Sequence, residues 1–163
     1  MDTSSQNIKP LGIWLIIAYL AYVACACVYS MSNYFSDPQV RAIASLVAIG
    51  PISSVAYMGV LLLIHAVVLY GVWRGTRWAR VSCIGLFIFS ALMATLWGVW
   101  LLTHPQIIEA VSLAIPKEGT EGLTPSFFQD MITIGICSSI VYSWAVAIVA
   151  SRYLFKKKNY FVH

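Results

Sequence analysis

Four apolar runs, each long enough to cross a bilayer, leave this chain few ways to fold. They lie near Leu11–Tyr34, Ser54–Trp73, Ala79–Leu102 and Asp130–Phe155. Spanning the hydrocarbon core takes about 20 apolar residues as a helix, and in lipid only a helix or a closed barrel satisfies every backbone polar group. Charged residues make up 10% of the 163 residues, far below the roughly 25% of a soluble domain. The expectation is an all-α membrane protein: one domain over residues 1–163 with four transmembrane helices and no separate soluble domain. The opening MDTSSQNIKP has neither the basic start nor the cleavage site of a signal peptide, so the first run is expected to be retained as a helix.

The shortest connection sets the topology. Leu69–Ser82 reads LYGVWRGTRWARVS and places Arg74, Arg77 and Arg80 between two spans, flanked by Trp73 and Trp78. Guanidinium groups stay in water and on lipid phosphates while Trp rings sit at headgroup level, so this stretch reads as a tight turn at a membrane surface. Lys9, Arg152, Lys156, Lys157 and Lys158 fall on the same side, which makes eight of the ten Lys and Arg residues. Arg41 and Lys117 lie on the other side, with Asp37, Glu109, Glu118, Glu121 and Asp130. The positive-inside rule then puts both termini in the cytoplasm. It makes Arg74, Arg77, Arg80, Lys156, Lys157 and Lys158 a cytoplasmic basic anchor. The formal charge of +4 bears on orientation and anionic lipid, not on nucleic acid.

The two poorly charged connections resemble each other. Ser36-Asp-Pro38-Gln39-Val40 matches Thr103-His-Pro105-Gln106-Ile107, and Ser45-Leu46 matches Ser112-Leu113 at the same offset. A parallel two-helix internal repeat would explain this, with an insertion near Lys117–Gly122 in the second copy. Ile107, Ile108, Val111 and Ile115 share one helical face, as do Val40, Ile43, Leu46 and Val47. Both connections are expected to lie as short helices over the end of the bundle or on the outer leaflet. Ser126 and Gln129 have the spacing of a capping box for the fourth helix.

Polar side chains inside a span are costly unless they face protein or trapped water. His65 is the only ionisable group other than Tyr and Cys well inside a run. Two readings stand: a proton-relay or substrate contact, or a neutral imidazole bonded to a Ser, a Tyr or a carbonyl of a neighbouring helix. Tyr19, Tyr22 and Tyr29 share roughly one face of the first helix and complete a possible intramembrane polar site with His65. Gly135, Ser139, Ser143, Ala147 and Ser151 recur every four residues along the fourth run and form a helix-packing stripe. The third run carries a comparable row at Ser82, Ser90, Ala94 and Gly98, and the two rows are expected to meet each other or a second copy. Cys25, Cys27, Cys83 and Cys137 all lie in apolar runs with no ligand or disulfide spacing, and read as small packing residues.

No Asp or Glu lies mid-membrane, as the small four-helix multidrug antiporters require. No paired carboxylates, His-Glu metal motif, Gly-rich phosphate loop or Ser-His-Asp spacing occurs. No catalytic residue, metal or cofactor is therefore expected, and the chain reads as non-enzymatic. The opening Leu11-Gly12-Ile13-Trp14-Leu15 is similar to a Gly-Gly-Trp-Leu start. With the ending Ser151-Arg152-Tyr153 through Asn159-Tyr160-Phe161-Val162, it resembles the small bacterial four-helix membrane proteins catalogued as domain of unknown function 2569. Ile13 stands where that family has a second small residue. The resemblance implies a bacterial inner membrane and no mechanism. The leading expectation is a protein acting through contacts with a membrane protein or a secreted partner, such as a toxin held by an immunity or accessory protein. The alternatives are a small transporter or channel working as a homo-oligomer, and an anionic-lipid-binding protein.

Overall fold

The computed structural model describes residues 9–38, 40–42, 51–114 and 124–161. It is all-helical, with no strand among the described residues. Helices α1 (Leu11–Ser36), α2 (Pro51–Arg74), α3 (Arg77–Leu102), α4 (Pro105–Ala114) and α5 (Pro125–Lys156) are followed by a short 3-10 turn at Lys158–Tyr160. Four of them, α1, α2, α3 and α5, are long and apolar enough to cross a membrane. Their 24 to 32 residues give lengths of about 36–48 Å at 1.5 Å per residue. That exceeds a hydrocarbon core of about 30 Å, so each span reaches into the headgroups or tilts.

The helix ends follow local chemistry. The α2–α3 turn is a Schellman motif: Gly75 N–H donates to the Val72 carbonyl and Thr76 N–H to the Gly71 carbonyl, both at 3.1 Å. Gly75 carries it at φ +70°, a conformation that costs a Cβ-bearing residue. The start of α5 corrects one expectation. Its N-cap is Thr124, whose side chain accepts from the Phe127 N–H, with Pro125 in the first turn. Proline needs no donor partner there, so the helix begins five residues before Asp130 and the Ser126–Gln129 pair lies inside it. Pro38 and Val40–Ala42 are helical after α1. The rest of the first poorly charged connection, including Ile43, Leu46 and Val47, and the Lys117–Gly122 insertion lie outside the described residues, as does Ile115.

The extensive contacts are α3 with α5 and α1 with α2, joined through α2 and α3. The core sits in the half of the bundle nearest the α2–α3 turn, where Ile13, Leu20, Val72, Ala79, Cys83 and Leu154 are fully buried. Close approach there depends on Gly71, where a Cβ would come within 2.6 Å of Ala79 Cβ. At the opposite end α4 packs on α5 and α3, burying Ile108 and Ser112 and half-burying Ile107 and Val111.

Candidate functional site

Two places concentrate polar chemistry: a cavity at His65 and the charged end of the bundle. On α2, Leu61, His65, Val68 and Val72 step by four, three and four, so they share the inward face. His65 is only 4% exposed. Its Nδ1 lies 2.8 Å from the Leu61 carbonyl one turn earlier, as a donor to it. The partner is thus its own helix and not a neighbouring one. A side chain on an inward face reaches the i−4 carbonyl without any interhelical geometry. That tautomer leaves Nε2 as an acceptor.

His65 borders a cavity of about 300 Å³ between α1, α2 and α3, lined also by Tyr19, Tyr57, Ser90, Phe87 and Trp97. Of the three tyrosines expected here, the structure places Tyr19 at the cavity. Tyr22 and Tyr29 are 70% and 68% exposed on the outside of α1. At 100° per residue they stand about 60–80° around the helix from Tyr19, enough to leave a face set by Ile13, Ile16, Ile17 and Leu20. The sequence reading missed Tyr57 and Ser90. Tyr57, eight residues before His65, stands about 80° from it around α2, and Ser90 lies on another helix, so spacing alone gave no signal for either. The Tyr19 and Phe87 rings, 5.6 Å apart, form one wall.

The small-residue stripe of α5 divides in two. Ala147 is buried and Ser143 and Ser151 are half-buried, with Ser151 Oγ unpartnered among the described residues. Gly135 and Ser139 are exposed, and nothing lies within 4 Å of a Cβ built on Gly135. Toward that end α5 meets α3 through Ile136 and Ile140, which occupy the notch at Gly98. A Cβ on Gly98 would stand 2.6 Å from Ile140 Cδ1. At Gly98 it is large side chains of α5, not its small row, that fill the notch. Trp144 adds an interhelical hydrogen bond to Thr95 that the sequence reading did not contain.

At the charged end, Lys9, the Arg turn and the C-terminal lysines converge. Lys9 Nζ lies 3.5 Å from the Trp73 ring centre and 5.4 Å from that of Trp14, in cation–π contact. Partial burial draws the Lys9 ammonium below its usual pKa. The Tyr160 hydroxyl donates to the Val72 and Trp73 carbonyls at 3.2 and 3.3 Å, and Phe161 is buried behind it. The last turn of α2 is thereby covered by the tail. Arg74, Arg77 and Lys156–Lys158 are exposed, while Arg80 is half-buried with its Nε unpartnered among the described residues. The described carboxylates Asp37, Glu109 and Asp130 lie at the other end. Among the described residues no three His, Cys, Asp or Glu side chains come together, and the four cysteines are free.

No family model matches the chain, and no curated protein and no solved structure is significantly similar to it.

Proposed function

We propose that this is a non-catalytic, multi-pass membrane protein that acts by side-to-side contact with another protein in the bilayer, as an immunity or accessory protein does. The exposure of α5 carries this reading. Only 6% of its apolar window is buried inside the bundle, against 22% for each of the other three spans. On its uncovered half Met131, Ile134 and Val141 alternate with Gly135, Ser138 and Ser139. Small residues between large ones let a second backbone approach and make dispersion contacts, which drive helix association in lipid. The bacterial inner membrane, with both termini cytoplasmic, fits the eight cations gathered at one end. The resemblance of the opening and closing motifs to the bacterial four-helix family is in line with the same location. A parallel two-helix repeat fits the Pro-led helix that begins after α1 and again after α3.

The test is photo-crosslinking in native membranes. Probes at Ile134 and Val141 on α5 should yield a protein adduct, while probes at the equally exposed Val60 and Leu63 on α2 should yield lipid adducts alone. Lipid adducts alone at all four positions would overturn the reading.

The His65 cavity favours a second reading, a small transporter or channel. Solute flux into liposomes, lost in both His65→Gln and His65→Leu while stability is kept, would place that reading first.

A further inference from the structure

We infer that the groove between α1 and α5 holds an acyl chain of an anionic phospholipid drawn from the leaflet at the basic end. The groove begins at Tyr142, next to Val141 at the near edge of the α5 surface on which the protein contact was proposed, and Ile134, two turns away from it, tests that contact separately. At its lower end the Tyr153 ring lies against Gly12 and joins the two helices. Above that contact opens an apolar cavity of about 400 Å³, walled by Leu15, Ile16, Tyr142, Val146 and Val149, with Phe87 of α3 among its lining residues.

Length selects a leaflet. From Tyr142 to Tyr153 the groove covers a rise of about 16 Å along α5, close to half of a hydrocarbon core of about 30 Å. It begins at the basic end, so it matches the depth of that leaflet.

The cavity is of the size of a single lipid chain. A polymethylene chain about 4–5 Å across, judged by carbon contact distances, fills on the order of 300 Å³.

Charge selects the headgroup. The groove face of α5 runs Tyr142, Ala145, Val149, Tyr153 in steps of three and four, and the same steps lead onto Lys156 and Lys157. Lys9 lies at the same end of the bundle but on the α2 side of α1, over the Trp73 and Trp14 rings. The described carboxylates are all at the far end of the bundle. A chain in the groove therefore places its phosphate at the end that carries Lys156 and Lys157, and a headgroup with net negative charge is preferred.

The experiment is native mass spectrometry of the full chain reconstituted with equal phosphatidylglycerol and phosphatidylcholine. The expected result is one phosphatidylglycerol retained per chain, in preference to phosphatidylcholine. Ala145→Trp, at an exposed position lining the groove, should abolish retention. Lys156→Gln and Lys157→Gln, both at exposed sites that leave the fold untouched, should each reduce the preference about fivefold. If Ala145→Trp does not fold, Val149→Phe serves for the groove, and the lysine variants decide the headgroup. Equal retention of both lipids by the wild type would overturn the inference, as would retention unchanged by a filled groove. A dimer of this chain that dissociates on filling the groove would overturn it too, in favour of a helix as occupant. The crosslinking result at Ile134, two turns from the groove, bears on none of these outcomes.

Discussion

The indole Nε1–H of Trp144 on α5 donates to the Thr95 hydroxyl on α3 at 2.9 Å, and that hydroxyl donates onward to the Ala91 carbonyl at 2.8 Å. The pair ties together the two most extensively packed helices. Trp144→Phe removes the donor but leaves Thr95 its backbone partner. It should cost about 0.6 kcal/mol and at most about 1.7, the range for hydrogen bonds in membranes. Thr95→Val strands the indole N–H and should cost more. Unfolding in detergent with a double-mutant cycle measures both, and a coupling of zero would mean that the bond contributes nothing.

Gly98 and Gly135 should respond in opposite ways to Leu. At Gly98 the added side chain strikes Ile140 and Ile136 and forces α3 from α5, an overpacking cost of about 1–3 kcal/mol. At Gly135 it meets open space, so thermal stability of the isolated chain should stay near wild type. The same Gly135→Leu variant should lose the crosslinked partner. A large stability loss at Gly135 alone would mean that α5 is rotated from the arrangement described.

The α2–α3 turn and the tail act together. Gly75→Ala should cost more than about 1 kcal/mol, because the left-handed conformation penalises a Cβ and the Tyr160 carbonyl lies 3.0 Å from where that Cβ would stand. Tyr160→Phe should cost about 1 kcal/mol through the lost hydroxyl donor. Burial holds the Tyr160 hydroxyl above its ordinary value of 10.0. Its contribution is therefore complete below about pH 10 and disappears as pH rises through the raised value. Proteolysis of the tail against pH follows this directly, and the Phe variant should show no such alkaline step.

His65→Leu should be nearly neutral for folding. The Leu61 carbonyl that His65 engages also accepts the backbone N–H of the helix, so deleting the imidazole leaves no group unsatisfied. A change below about 0.6 kcal/mol in detergent unfolding is expected. A loss of several kcal/mol would place an unseen partner on Nε2.

A fluorescent protein fused after the C-terminus should mature in the cytoplasm, and alkaline phosphatase fused after Leu113 should be active. An active phosphatase at the C-terminus would reverse the orientation assigned from the cations.

Hydropathy and charge, which are local, made much of this legible in the chain alone. Apolar length specified four spans, because lipid offers the backbone no alternative to internal hydrogen bonding. Arg74, Arg77 and Arg80 between Trp73 and Trp78 marked a tight turn, because guanidinium groups stay in water while Trp rings sit at headgroup level. Facing was a different matter. The strict period of Gly135, Ser139 and Ser143 pointed to a packed seam, yet α5 turns Gly135 and Ser139 outward and seats Ile140 in the notch of Gly98. Apolar residues cover both the lipid and the protein side of a membrane helix, so hydrophobic periodicity carries little information about which side is which. His65 and Tyr19 meet at one cavity while Tyr22 and Tyr29 do not, through 60–80° of helix rotation that spacing alone leaves open. The Trp144–Thr95 bond and the docking of Tyr160 on the end of α2 join residues far apart in the chain. They exist because the tertiary packing brings a donor to an acceptor, which no local pattern encodes.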